Sequence, residues 1–216
     1  PLDRAYEDDD IIVINKPFDM PAHPSAGNHD NTLANALMYY YGSQNKPFVY
    51  RCINRLDRDT TGLTIVAKHA LAGGILGNAV AKRAIHRTYY AVCSGCTPIC
   101  MRISAPIARK DASTIERCVD FKRGENAVTD FIRIKYNPDN NLSLVKLRLL
   151  TGRTHQIRVH MKYIGFPLIG DFLYNPDYTY ISRQALHSGR LVFTHPVTGQ
   201  KMNLISDIPS DMKSLF

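Results

Sequence analysis

Apolar and polar positions alternate along this chain with two periods. Ile11–Asn15 (IIVIN) is an unbroken apolar run ended by Lys16-Pro17, the pattern of a buried strand running into a loop. Asn31-Thr32, followed by Leu33, Ala36, Leu37 and Tyr40 with Gly42 behind, predicts a capped helix with a glycine stop. Gly62–Lys68 is a β-branched run and predicts a strand. Over 70–83, Leu71, Ile75, Leu76, Ala79 and Val80 fall at helical spacing. Arg87–Cys93 alternates as a strand does. Ala127–Tyr136 and Leu142–Leu150 predict two strands flanking the turn Asn137-Pro-Asp-Asn-Asn141, and Leu191–Thr194 and Lys201–Ile205 flank a second turn at His195–Gly199. His155–Tyr163 carries Ile157 and Met161 at helical spacing and runs on to Ile164 and Gly165. Hairpin-joined strands with about three helices read as α+β, a mixed and largely antiparallel sheet flanked by helices. No repeat or linker interrupts the pattern, so a single domain over 1–216 is expected.

Composition narrows the class. With 44% hydrophobic and 21% charged residues in 216, the chain is an ordinary globular one, neither disordered nor fibrous. It has no run of about 18 apolar residues for a membrane span, and its acidic opening, PLDRAYEDDD, is no signal peptide. Five cysteines, an odd number, suggest free thiols, a reducing compartment and a cytoplasmic location. Cys93 and Cys96, with Cys100 and Cys118, have the residue types of a thiolate zinc site, but Cys93 falls on an alternating strand as a small buried hydrophobe. No metal is expected.

The net charge is +8, and its placement is uneven. No Asp or Glu occurs from Thr60 through Lys110 or from Asn140 through Gly170, while those stretches hold twelve Lys and Arg residues. Such a distribution predicts an electropositive face for a polyanion, with Lys82, Arg83, Arg109, Lys110 and Arg153 as candidate phosphate contacts.

Two polar clusters carry the candidate chemistry. Arg51-Cys-Ile-Asn-Arg-Leu-Asp-Arg-Asp-Thr-Thr-Gly62 packs three arginines and two aspartates before an apolar strand. Asp57 is read either as a structural ion-pair partner of Arg55 or Arg58, or as a carboxylate kept ionised by guanidinium neighbours for use as nucleophile or base. Thr151-Gly-Arg-Thr-His-Gln-Ile-Arg-Val-His160 runs from a strand through a glycine turn into a helix, and places Arg153 and Thr154 where backbone N–H groups favour phosphate. His155 and His160 are not at i, i+4, which argues against a helical metal pair. The run Tyr39-Tyr40-Tyr41 diverges around a helix and divides between core and surface rather than forming a stacking platform.

The segment Asn54-Arg-Leu-Asp-Arg-Asp-Thr-Thr-Gly-Leu63 resembles the signature around the catalytic aspartate of the RluA family of pseudouridine synthases, commonly His-Arg-Leu-Asp-x-x-Thr-Ser-Gly. Other segments resemble the family in its order: Ile14-Asn-Lys-Pro17 with Pro21-Ala-His-Pro24, Arg87–Gly95 around a tyrosine, Gly152–His160 as its arginine motif, Gly165–Tyr174, and Arg183–His187 with Phe193–Pro196. The resemblance implies the pseudouridine synthase catalytic fold with a central active-site cleft, and isomerisation of uridine in structured RNA, ribosomal or transfer. The N1–C1′ bond breaks, the base rotates and rejoins through C5, and no cofactor is needed. By the same resemblance Asp57 acts as nucleophile or base, Tyr89 stacks on the uracil, Arg158 ion-pairs with Asp57, and Arg55 fills the stack left by the flipped nucleotide, with Arg58 and His155 beside the RNA. Asn54 in place of histidine, Thr61 in place of serine, and Ser188 after Leu186-His187 depart from the pattern, and the S4-type domain of many relatives has no counterpart in these residues. A monomer without an obligatory protein partner or membrane attachment is expected. The rival expectations are a non-catalytic RNA-binding protein with the same fold, and a nucleoside or glycoside hydrolase using Asp57 and Asp59 as a carboxylate pair.

Overall fold

The computed structural model describes residues 2–25, 29–111, 113 and 115–216. In chain order the elements begin with β1 (Arg4–Glu7), β2 (Ile11–Lys16), α1 (Leu33–Gly42), β3 (Arg51–Cys52), β4 (Thr61–Ala67) and α2 (Ala70–Ala81). They continue with β5 (His86–Ser94), β6 (Cys100–Ser104), β7 (Ile107–Arg109), β8 (Arg117–Val119), β9 (Val128–Asn137), β10 (Leu142–Leu149) and α3 (Gln156–Tyr163). The last are β11 (Leu186–Thr194), β12 (Lys201–Ile205) and the short α4 (Ser210–Lys213). The fold is α+β. Residues group into two compact units, 1–86 with 188–207, and 87–187 with 208–216.

In the first unit the strand order is β1-β2-β4-β11-β12, with β3 also on β4. The apolar run of β2 is continuous because both its faces are covered. Ile11 and Val13 pack with Leu63, Ile65, Ala72 and Leu76, the last two from α2. Ile12 and Ile14 pack with Leu33, Leu37 and Tyr41 of α1. A strand buried on both sides has no reason to alternate. The Thr32 hydroxyl caps α1 by accepting from the Asn35 N–H at 3.2 Å. Tyr41 is buried while Tyr39 is exposed, as the divergence around the helix predicts. On α2 the predicted apolar stripe is corrected. The helix buries Ala72 and Leu76, and it leaves Leu71 and Ile75 at 64% and 41% exposure. Gly73 lets α2 approach the Arg51 side chain: a Cβ there would stand 3.0 Å from Arg51 Cδ. The helix therefore turns Ala72, Gly73 and Leu76 inward and Leu71 and Ile75 outward.

In the second unit β5, β10, β9 and β6 form an antiparallel run in that order. The predicted turn at 137–141 joins β9 to β10, with a register shift at Leu144/Val145. Leu147 pairs with Tyr89 on one side and Phe131 on the other, so these three side chains share one face of the sheet. Thr129, two residues from Phe131, lies on that face and is bonded by Gln156 and His160 of α3. The opposite face, through Val92 and Leu142, packs with Met212 of α4. Strands β7 and β8 form a separate two-stranded arm.

Candidate active site

Asp57 sits, half-buried, in the loop between β3 and β4, and the first unit holds that loop from three directions. Asn54 is buried behind it and acts on the β4 backbone. Its Nδ2 donates to the Leu63 carbonyl at 3.2 Å, its Oδ1 accepts from the Ile65 N–H at 2.8 Å, and its own carbonyl accepts from the Thr64 hydroxyl at 2.7 Å. The departure from histidine thus leaves a residue whose amide satisfies a donor and an acceptor of one strand. Leu56 is buried beside Asp57, and the Thr60 N–H closes a turn onto the Asp57 carbonyl at 3.1 Å.

Lys16 grips the loop from below. It is 1% exposed, and its Nζ donates to the carbonyls of Pro17 at 2.7 Å, Met20 at 2.9 Å and Arg58 at 2.8 Å. Three carbonyl dipoles offset the desolvation of a buried ammonium. Because Arg58 directly follows Asp57, this clasp sets where the aspartate is presented. Gly62, at the start of β4, allows the third hold. Its φ is +106°, and a Cβ there would stand 2.3 Å from the Ser188 carbonyl oxygen, so strand β11 lies against it. The Ser188 hydroxyl, another departure, donates to the Leu63 carbonyl at 3.1 Å.

Of the arginines expected beside the RNA here, Arg55 is exposed, and Arg58 is exposed and directed at carboxylates. Arg58 Nε and Nη2 each lie 3.2 Å from Asp59, and Asp19 is 3.8 Å away. Asp59 is therefore engaged by a guanidinium. This supports its structural reading over membership of a reacting pair of carboxylates.

In the second unit Tyr89 is buried on the sheet face that α3 covers. Arg158 projects from α3 away from Gln156 and His160, and is 1% exposed. Its Nε and Nη2 form a two-bond fork with Asp171, at 2.7 and 2.8 Å, and its guanidinium lies over the rings of Phe172 and Tyr174, at 5.3 and 5.0 Å. Asp171 is fully buried and also caps the Leu173 and Tyr174 N–H groups. His155, at φ +57°, turns its Nδ1 to the Tyr174 hydroxyl at 2.9 Å. That hydroxyl also accepts from the Arg117 N–H at 2.9 Å. Burial pushes its pKa up to about 12.

A polar chain beneath the arginine motif accounts for the rest of its residues. The Thr151 hydroxyl accepts from the Val128 N–H and donates to Gln156 Oε1, both at 2.8 Å. Gln156 Oε1 also accepts from the Arg153 N–H, while Nε2 donates to the Val128 carbonyl and Thr129 hydroxyl. Thr129 passes the chain to His160 Nδ1 at 2.9 Å, and His160 Nε2 donates to the Ala105 carbonyl at 2.9 Å. Each buried donor here meets an acceptor, which fixes the turn at 151–154. Burial holds the His160 imidazole below its usual pKa, in the neutral form this chain requires.

The charge pattern is corrected in part. Carboxylates from outside the acid-free stretches fold back onto them: Glu7 to Lys68, Asp130 to Arg102, Glu116 to Lys110, Glu125 to Arg153 and Asp171 to Arg158. Lys110 is thus an ion-pair member. Lys82 and Arg83 are exposed at the end of α2, Arg83 at φ +58°. Arg109 and Arg153 are brought together in one cavity of about 490 Å³, with Arg117 and Arg123, which the sequence did not single out. Lys16 and Asp171 were also missed. A lone lysine closing an apolar run and a lone aspartate after an acid-free stretch carry no local sign of burial.

The described residues contain one group with metal-ligand atoms in reach of one another, Asp8, Asp10 and His195. His195 Nδ1 accepts from the Val197 and Thr198 N–H groups at 3.3 and 3.1 Å, which places the ring proton on Nε2, 2.8 Å from Asp8 Oδ2. A nitrogen that carries the proton has no lone pair for a cation. All five cysteines are free thiols, with Cys93 buried and Cys96 and Cys100 exposed. Among the described residues no helix is long and apolar enough to cross a membrane.

A family model described as RNA pseudouridylate synthase matches residues 10–163. The ribosomal large subunit pseudouridine synthase D of Zymomonas mobilis is 38% identical over 100% of this chain and 72% of its own length. That of Haemophilus influenzae is 42% identical over 100% and 70%. Among solved structures, Human RNA Pseudouridylate Synthase Domain Containing 1 is similar with a TM-score of 0.80 at 26% identity, covering 96% of this chain and 83% of that one.

Proposed function

Since this chain belongs to the RNA pseudouridylate synthase family, RluA type, and isomerises uridine to pseudouridine in RNA, we propose that its substrate is the RNA of the large ribosomal subunit. The observation that carries this reading is identity of 38–42% over the whole chain to enzymes named for that substrate. Asp57 is the nucleophile at C1′, or the base at C2′, that opens the N1–C1′ bond. Tyr89 stacks on the detached uracil while C5 turns toward the sugar, and Arg158 is the cation of the reaction. Arg55, exposed two residues before Asp57, occupies the gap left when the uridine leaves its stack. The reaction rearranges bonds within one nucleotide, so it consumes no co-substrate. Support for Asp57 comes from its loop, where Asn54, Lys16 and Gly62 hold the backbone on both sides of one half-buried carboxylate. Five free thiols suit a reducing cytoplasm, and the enzyme acts there as a monomer without an obligatory protein partner.

The test uses large-subunit ribosomal RNA and transfer RNA transcripts, each carrying tritium at uracil C5. Release of tritium to water from the ribosomal transcript, without free uracil, is expected. Release from transfer RNA alone would overturn the substrate. Free uracil would move the reaction to a hydrolase.

A further inference from the structure

Strands β7 and β8 place two arginines directly opposite each other. In their antiparallel register Arg109 pairs with Arg117, so the two side chains leave the same face of the arm. Like charges at such a position repel and destabilise the pair. Neither arginine has a carboxylate partner among the described residues. Elsewhere in this unit folding brings a carboxylate to Arg102, Arg123, Arg153 and Arg158. Arg109 and Arg117 line a cavity rather than a flat face.

That cavity, of about 490 Å³, is closed by the arm, by Arg123 and Glu125, and by the turn 152–154 before α3. Its walls are braced. Glu125 and Ile107 exchange backbone hydrogen bonds, both at 2.9 Å. Arg123 is tied down by Asp120 and Asp111, so its charge is already matched. The arm is anchored through the Arg117 N–H on Tyr174, and the turn through the Arg153 N–H on Gln156. Gly152 leaves room at the turn for Arg87, whose Nη2 would stand 3.2 Å from a Cβ at that position. Among the described residues the one carboxylate lining the cavity belongs to Glu125, which is ion-paired with Arg153.

We propose that this cavity is a phosphate subsite for the backbone of the substrate RNA, with Arg109 and Arg117 as its paired cations and Glu125 as a built-in competitor for Arg153. This rests on the RNA reading above. A phosphate between the two guanidiniums turns their repulsion into attraction, and a tetrahedral oxyanion has acceptors for both forks. Phosphate contacts fix the position of a strand without reading its sequence.

The test pairs variants with opposite expectations, on the full chain and a large-subunit ribosomal RNA transcript. The double variant Arg109→Gln, Arg117→Gln removes the repulsion and the cations together. Its melting temperature should hold or rise while its RNA dissociation constant rises roughly fivefold at about 0.1 M salt, with the log–log salt slope smaller by about 0.7 for one lost phosphate. Glu125→Gln frees Arg153 and should tighten binding. An unchanged dissociation constant in the double variant overturns the proposal. So does a fall in its melting temperature together with weaker binding, which would make the arginines structural. If inorganic phosphate alone raises the wild-type melting temperature as much as the RNA does, the site serves a free anion and the RNA assignment fails. Tritium release from the same transcript by the wild type checks the underlying reading separately: without it that reading falls, whatever the affinities.

Discussion

Lys16 Nζ donates to the carbonyl of Arg58 at 2.8 Å, across 42 residues of chain, and so ties the end of the first buried strand to the residue after Asp57. The ammonium is buried with carbonyl acceptors at Pro17 and Met20 as well. The loop that carries Asp57 is thus positioned by a buried cation from the first strand.

Lys16→Met should destabilise the protein by about 3 kcal/mol, because it strands buried carbonyls that had a charged donor. Turnover should fall further than stability explains, since the Asp57 loop loses its clasp. Urea unfolding and single-turnover rates measured below the transition separate the two effects. A rate that falls only in proportion to the folded fraction would make Lys16 purely structural.

Asp57→Asn should abolish isomerisation and leave the melting temperature close to wild type, because the amide has nearly the same shape but neither ionises nor attacks. Asp59→Asn should do much less, since its partner is Arg58. The readout is tritium release from C5-labelled RNA. Equal loss from both would restore the paired-carboxylate alternative.

Asp171→Ala leaves the Arg158 guanidinium buried without its fork partner and should cost about 3–5 kcal/mol. Asp171→Asn keeps one acceptor and should cost less. Chemical denaturation of the two variants gives the order. A loss under 1 kcal/mol or so in Asp171→Ala would mean that other contacts hold Arg158.

Acid should destabilise the second unit through His160. Its folded-state pKa lies below the ordinary 6.5, so between those two values the unfolded chain binds the extra proton. The stability is therefore fully present above about pH 6.5 and is lost as pH falls toward the folded value. Protonating Nδ1 removes the acceptor of the Thr129 hydroxyl and disturbs the chain that fixes the 151–154 turn. Urea midpoints from about pH 7.5 to 5.5 should decline in the wild type and decline less in His160→Gln. Parallel profiles would remove His160 from the acid response. The carboxylates of Asp120 and Asp130, held low by backbone N–H groups and by Arg102 respectively, titrate well below this window.

Much of the fold was legible because its signals are local. The turn at 137–141, the Thr32 cap and the apolar runs of β2 and β4 each act within a few residues. The short strands β1, β3, β6, β7 and β8 were not legible, since two to five residues show no dependable period. The face of α2 was misread for a different reason. Spacing identifies a helix, but which side packs is set by what arrives, and there the neighbours accept Ala72 and Leu76 and exclude Leu71.

The chemistry divides the same way. The sequence by itself marked the Asp57 loop and the arginine motif as candidates, because the arginines and aspartates of 51–59 and the glycine turn before α3 lie within a few residues of one another. Only the tertiary structure decided that Asp171 takes the Arg158 fork, that Lys16 is buried under Arg58, that carboxylates fill the acid-free stretches, and that Arg109 faces Arg117. Ion pairs and buried charges are chosen by proximity in space, and a carboxylate 13, 28 or 61 residues away leaves no mark on the local spacing of the cation it will meet.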